Sequence, residues 1–268
     1  MHYGAYDGLG HRKGNAVKHS LIVLPALLLA LAIGVSGQEA ITDTELLAAL
    51  DTARLFESNV SEIRILIQSE TPDESREAEI RLLFGEVNGE TRSRIEFLRP
   101  EELAGQIYLS TLDGTYFYGP DLDFPIKTSA TTEVFGDAAV AQTSGIRFAD
   151  DYTVQDRRTV AADDGGELLE LDLIAIDYSV AFQAATVIVD PSSLRPQSAV
   201  LFAVSGLPLY EVFYGPYETS GSSDVYAQRQ RIENRLLVGR VTISEVLEVS
   251  TQSQSASLFD PTQLGDGN

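Results

Sequence analysis

Apolar positions along the chain form one run of helical spacing, followed by a long succession of runs spaced by two. Thr42-Asp43-Thr44-Glu45 reads as a capping box, in which the Thr42 hydroxyl accepts from the Glu45 amide and the Glu45 carboxylate reaches back. Leu46, Leu47, Leu50 and Ala53 then recur at helical spacing, which predicts an amphipathic helix over 42–56 with one face to bury. From Ser61 the period changes. Ile63, Ile65 and Ile67 alternate along one strand, and Ile80, Leu82 and Phe84 along the next. Asn88-Gly89 supplies a hairpin turn, and Ile95 and Phe97 continue the meander to Arg99-Pro100. Strands are predicted at 107–112 and 115–118 around Asp113-Gly114, then at 152–160, 168–176, 184–190, 197–203, 209–214, 225–232, 239–248 and 255–259. The Ala-rich stretch Thr131–Thr143 is predicted to form a short helix, with Val134, Phe135, Ala138 and Val140 on one face.

That is about a dozen strands and two helical segments, with no long linker and no internal repeat. The fold class is therefore mainly β (α+β), and an antiparallel sheet of so many strands must curl or close. Several strands are apolar on both faces: Ile65-Leu66-Ile67, Leu82-Leu83-Phe84, Tyr116-Phe117-Tyr118 and Val200-Leu201-Phe202. A sheet with one wet face should alternate cleanly. Either a helix packs on one face and another sheet on the other, or a curved sheet has a concave face lining an apolar cavity with helices closing its rim. The second arrangement would take a hydrocarbon chain, at roughly 0.8 kcal/mol per buried CH₂.

The first forty residues change the picture. Arg12, Lys13 and Lys18 precede an apolar run from Leu21 to Val35, and Val35-Ser36-Gly37 offers small residues for cleavage before Gln38. Residues 1–37 thus read as a signal peptide, with an uncleaved anchor as the rival, and residues 38–268 as one domain. The run spans about 22 Å as a helix, short of a ~30 Å hydrocarbon core. Removing it takes away a formal +2 from a chain of formal charge −21, leaving −23. It also removes all three histidines (His2, His11, His19) and the one methionine. The remainder has no His, Cys, Met or Trp. Zinc, copper and haem sites built on imidazole or thiolate are excluded, as is a Ser-His-Asp relay. The charge argues against binding nucleic acid or anionic lipid surfaces through a broad electrostatic field.

Carboxylates could still work in pairs, and Asp121/Asp123, Asp150/Asp151 and Asp163/Asp164 are the candidates for glycoside hydrolysis or calcium binding. With 39 acidic residues after residue 37, such pairs arise by composition alone, and solvated loops are the first reading. The aromatic set is the better candidate site: Phe97, Tyr108, Tyr116, Tyr118, Phe135, Phe148, Phe202, Tyr210 and Phe213. Each taken singly reads as ordinary core. As a set on a curled sheet they are expected to line a pocket, with Phe135 and Phe148 gating it.

The segment Phe97-Leu98-Arg99-Pro100-Glu101-Glu102-Leu103-Ala104-Gly105-Gln106-Ile107-Tyr108-Leu109 resembles one in the outer-membrane lipoprotein-sorting family, whose members are related to LolA, LolB and RseB. Asp113-Gly114-Thr115-Tyr116-Phe117-Tyr118-Gly119-Pro120 is similar to the turn and aromatic-Tyr-x-Pro element that follows there. Gly145-Ile146-Arg147-Phe148-Ala149-Asp150-Asp151 echoes the Gly-Ser-x-Phe-x-x-x-Asp segment, and the strand order from Val187 to Val249 follows the family's. The resemblance covers most of residues 42–264. It implies an unclosed β-barrel around an apolar cavity with a helical lid, no cofactor, and a monomeric periplasmic carrier. Such a carrier takes a lipid or lipoprotein acyl chain from an inner-membrane exporter and delivers it to an acceptor. The alternative it implies is a sensor of the RseB kind. Tyr116 stands where an indole is common, and the basic residues after the Pro element shrink to Lys127, so a contact through those cations is not implied here.

Overall fold

The computed structural model describes residues 41–54, 61–143, 146–219 and 225–264. The expected leader and the last residues of the expected first helix lie outside these. The helix is α1 (Asp43–Arg54). Its capping box forms as the sequence requires: the Thr42 amide donates to Glu45 Oε2 at 2.9 Å and the Glu45 amide to Thr42 Oγ1 at 3.3 Å. These bonds hold the Glu45 carboxyl below its ordinary range. Among the described residues no helix is long and apolar enough to cross a membrane.

Strands follow in an unbroken meander: β1 (Glu62–Glu70), β2 (Ser75–Val87), β3 (Glu90–Arg99), β4 (Ile107–Thr111), β5 (Gly114–Tyr118) and β6 (Ile126–Thr128). The β2–β3 turn puts Asn88 and Gly89 at φ of 56° and 80°, the paired left-handed geometry that makes Asn-Gly a hairpin signal. Next come a tight hairpin, β7 (Glu133–Phe135) and β8 (Ala138–Ala139), and two four-residue helices, α2 (Val140–Thr143) and α3 (Phe148–Asp151). The second meander comprises β9 (Tyr152–Ala161), β10 (Glu167–Ala175), β11 (Ala184–Asp190), β12 (Arg195–Phe202) and β13 (Pro208–Tyr214). It ends with β16 (Arg229–Asn234) and β17 (Val241–Ser250), after a small side hairpin of β14 (Tyr217–Thr219) and β15 (Val225–Ala227).

The two meanders join through β1 and β17 into one antiparallel sheet of thirteen strands, in the order β6-β5-β4-β3-β2-β1-β17-β16-β13-β12-β11-β10-β9. The strands at its two ends, β6 and β9, do not pair with each other, so the fold is a strongly curved, unclosed barrel. Alternation decides what faces inward: in β1 the buried residues are Ile63, Ile65, Ile67 and Ser69. Cross-strand register carries that face through Ile80 and Leu82 to Ile95, Phe97 and Tyr108. On the other half it runs through Leu171, Val187, Ala199, Val212 and Ile232. Helix α1 lies on this concave side, with Leu46, Leu47 and Leu50 packed into the second half's core.

Three expected elements are corrected. Residues 225–232 do not form one strand: Val225–Ala227 pairs in the side hairpin and Arg229–Asn234 in the main sheet. Residues 131–143 do not form one helix: Gly136, at φ +60°, turns the chain between β7 and β8, and only four residues beyond are helical. Residues 255–259 are not a strand but a 3-10 turn (Ala256–Phe259) followed by another (Pro261–Gln263), capped by the side chains of Ser255 and Asp260. This C-terminal segment packs on the convex face of β2–β5, where Phe259 and Leu264 meet Leu83, Ile107 and Leu109. Gly85 is required beneath it, because a Cβ there would overlap the Phe259 ring. Strands β2–β5 are thus covered on both faces, by the C-terminal turns on the convex side and by Val134, Phe135 and Val140 on the concave side, rather than by a helix and a second sheet.

Candidate functional site: a lidded apolar face

The concave face is covered by α1 and by the chain from β7 to α3. Both halves of this cover are fastened by polar side chains at specific points. Asp51, on the last turns of α1, accepts from the amides of Phe148 (2.9 Å) and Ala149 (2.8 Å), tying the start of α3 to α1. The second fastening is the Gly136-Asp137 turn. Gly136 lies so close to β1 and β17 that a Cβ would come within 2.6 Å of Thr242 Oγ1. The next amide, of Asp137, donates to that same hydroxyl at 2.8 Å. The Asp137 side chain is fully buried; its Oδ1 accepts from Asn234 Nδ2 at 2.6 Å, and its Oδ2 stands 3.3 Å from Arg240 Nε. A buried carboxylate is costly unless paired and hydrogen-bonded; here Oδ1 is hydrogen-bonded, while Oδ2 is met by the Arg240 charge without a hydrogen bond.

Between these fastenings the contact is apolar. Val134, Phe135 and Val140 pack on Ile67, Ile80 and Phe97 of the first half. Ala138, Ala139, Ile146 and Phe148 join α1 on the second half. The two cores meet over β1, β17 and β16, where the inward residues turn polar: Thr242, Ser244 and Gln230. A cavity of about 40 Å³ lies there, bounded by Ile65, Ile232 and Val246 from the sheet and Ala138, Gln142 and Thr143 from the cover. Gln142 is buried, and its Oε1 accepts from the Ala139 amide at 2.8 Å. That volume suits water rather than an acyl chain, since water needs only about 10–15 Å³ and small-molecule sites run to ~300 Å³ or more. The cover is thus seated on the sheet in a closed arrangement.

Five of the nine aromatic residues expected at the site face this side. Phe97 and Phe135 have ring centroids 6.4 Å apart; Tyr108 stacks on Phe117 at 4.9 Å; Phe148 meets Tyr152 edge-on; and Tyr210 meets Phe182 edge-on. Burial pushes the Tyr108 and Tyr210 hydroxyls up from their ordinary pKa. The other four are not brought to the same face, and the expectation that all nine line one pocket is corrected. Tyr116 and Tyr118 alternate with Phe117 and pack under the C-terminal segment. Phe202 alternates with buried Leu201, and Phe213 with buried Val212; Phe213 lies on the convex face beneath Arg231, 5.7 Å from its guanidinium. An exact period of two carries every second residue to the opposite side. The fastening residues Asp51, Asp137, Asn234 and Thr242 were not legible as a set. The available signal was Gly136-Asp137, a turn dipeptide with a lone carboxylate inside the apolar run Val134–Val140.

The acidic pairs behave as loop residues in two cases of three. Asp121 and Asp123 are exposed, as are Asp163 and Asp164. Asp151 is partly buried, and desolvation raises its carboxyl, with Asp150 and Asp51 adding to the rise. Among the described residues no three His, Cys, Asp or Glu side chains are grouped to hold a metal ion.

No curated protein matches the chain in sequence. Three solved structures resemble it closely in fold. A LolA superfamily protein from Nitrosomonas europaea superposes with a TM-score of 0.74 at 22% identity, over 82% of this chain and 98% of the other. An outer membrane lipoprotein-sorting protein domain from Vibrio parahaemolyticus gives 0.68 at 16% identity, over 83% and 97%. A DUF1329 family protein from Desulfovibrio piger gives 0.67 at 14%, over 81% and 95%. Residues 89–266, about two thirds of the chain, match a family model whose description reads "Uncharacterized protein". The chain belongs to that family, and its fold is that of the LolA superfamily and the outer-membrane lipoprotein-sorting proteins.

Proposed function

We propose that this protein is a periplasmic, monomeric carrier that holds a lipid or the acyl chain of a lipoprotein between the concave face of its sheet and the α1 and β7–α3 cover. The observation that carries this reading is how the cover is attached. Among the described residues it shares no strand ladder with the thirteen-stranded sheet; it is apolar toward it and fastened by a few side-chain bonds and by the Asp151 carbonyl, which accepts from the Ile176 amide. Lifting it costs those bonds and the apolar contact, and a hydrocarbon chain slid beneath restores the apolar part. Binding rather than catalysis fits an interior whose inward residues are mainly aliphatic and aromatic. The likeness to lipoprotein-sorting proteins supports export, guided by residues 1–37, and an inner-membrane exporter as donor.

The test is to purify the protein from the periplasm of expressing cells, extract it with organic solvent and identify the lipids by mass spectrometry. A fluorescent fatty acid is then titrated into the stripped protein. A stoichiometric co-purifying lipid and saturable one-site binding are expected. A lipid-free protein that takes up no fatty acid would remove the carrier reading.

A further inference from the structure

We infer that one rim of the sheet docks on the surface of a phospholipid bilayer through three neighbouring hairpin tips. The β16–β17, β12–β13 and β10–β11 hairpins are adjacent in the sheet, and antiparallel pairing places all three turns on the same rim. At about 4.8 Å per strand the turns follow one another roughly every 10 Å. Turns ordinarily carry polar residues and glycine. These carry large apolar side chains pointing into solvent: Tyr178 (87% exposed) with Ile176, Val204 (73%) with Leu207, and Val238 (92%) with Leu236. Single exposed apolar residues need no explanation, but this concentration at the tips of three successive turns does.

Charge selects the occupant. Residues 174–180, 203–207 and 235–240 hold one carboxylate, Asp177, and two guanidiniums, each already paired with a carboxylate of the fold: Arg235 with Glu211 at 3.0 Å and Arg240 with Asp137 at 3.3 Å. Asp177 is turned inward on its own loop, accepting from the Ser179 amide at 2.7 Å. The tips therefore end in aliphatic and aromatic side chains above guanidiniums that carboxylates of the fold already neutralise, with tyrosine, a residue favoured at membrane interfaces, at one of them. That layout suits the boundary between head groups and acyl chains. Geometry argues the same way. Separate tips do not make the continuous face of about 800 Å² per partner that a stable protein interface needs, whereas a bilayer accepts each projecting side chain independently. The surface lies on the rim rather than on the concave face, although Asn234 and Arg240 join one tip to the cover, and the inference does not depend on the carrier reading.

The chain has no tryptophan, so Tyr178→Trp places a single reporter at one tip. Protein expressed from the full chain is mixed with phosphatidylcholine vesicles and, separately, with phosphatidylcholine–phosphatidylglycerol vesicles. Wild type is compared with a variant combining Tyr178→Ser, Val204→Ser and Val238→Ser, prepared in the same way. Three results are expected: co-flotation of wild type with phosphatidylcholine vesicles that added phosphatidylglycerol does not strengthen, a blue shift of the indole emission in the Tyr178→Trp protein, and a loss of about tenfold or more in partitioning for the triple variant at unchanged melting temperature. Equal partitioning of the variant, an unshifted emission, or binding confined to the anionic vesicles and indifferent to the triple change overturns the inference. So does a dimer that the variant dissolves without any vesicle binding, which would assign the rim to a second copy. Fatty-acid titration of the same samples keeps the two readings apart, because the triple change leaves concave-face binding intact.

Discussion

At the scale of single residues, burial and alternation decide roles that side-chain type alone leaves open. Glu79 sits on the convex face with a nearly buried carboxylate clamped between the guanidiniums of Arg64 and Arg99. The bond to Arg64, then that to Arg99, holds its pKa below the ordinary glutamate value. A depressed pKa contributes stability above the unfolded value of 4.5 and loses it as pH falls through the lower folded value. Glu79→Gln is expected to lower the melting temperature by a few degrees at neutral pH, with the gap closing below about pH 4. A gap that stays constant across this range would show the ion pairs to be idle. Phe148 is the second case. Its ring is fully buried against α1 and Tyr152 in the closed arrangement. Phe148→Ala is expected to cost about 3–5 kcal/mol in chemical denaturation. The sequence points to Phe148 as the gate of a pocket, and it does not separate Tyr116 and Tyr118 from Tyr108, because a run of aromatics such as Tyr116-Phe117-Tyr118 supplies both faces at once.

Elements whose own pattern closes locally were the legible ones. The capping box announced α1, and Asn88-Gly89 announced the β2–β3 turn. Period-two runs placed most of the main-sheet strands, many of them within a residue or two of their ends. Elements held by distant contacts were not legible. The Ala-rich 131–143 stretch has helical spacing, yet the close approach of Gly136 to Ser69 and Thr242 decides for a hairpin, and those partners lie far away in sequence. The 255–259 stretch has the spacing of a strand. Its ladder partners are absent, while Ser255 and Asp260 just ahead of Pro261 supply caps for short 3-10 turns. Asn234 joins two elements through one amide: Nδ2 donates to Asp137 of the cover, while Oδ1 accepts from the amides of Leu236 (2.9 Å) and Leu237 (2.8 Å) at a hairpin tip. Asn234→Ala therefore loosens the hairpin cover and its turn together. Faster amide exchange at both 133–143 and 236–240, with the β1–β2 ladder unchanged, is the expected result. Acceleration confined to one of the two would show them to be independent.

At the scale of the molecule, the fold class and the direction of the apolar face follow from composition and period. A dozen alternating strands cannot stay flat, and the inward residues follow once a single register is known. What the pattern could not convey is where polar residues interrupt the inner face. Thr242, Ser244 and Gln230 divide it into two cores at the junction of the two meanders, and only the β1–β17 pairing brings them to its middle. A carrier built this way holds an apolar substance on either side of a polar waist. Dicarboxylic acids of similar length are accordingly expected to compete less well than fatty acids in the titration, because the second carboxylate would have to enter an apolar core. Equal competition would place the cargo elsewhere.

The missing pairing between β6 and β9 has one more consequence. In a closed barrel the strand number and stagger fix the radius, so the interior cannot change volume without breaking ladder bonds. A sheet with a seam is a spring clip: its curvature can relax while every ladder stays intact, and its gape adjusts to the girth of what it grips. The ends of the clip are protected from pairing with other chains. β6 is three residues long and follows Pro125, and β9 carries Asp156, Arg157 and Arg158 along its open edge. Cargo of different thickness should then be accommodated by one protein with graded rather than all-or-none affinity. Amide exchange should report the same protected ladders whether straight, branched or doubled chains are bound, with only α1 and residues 133–151 changing.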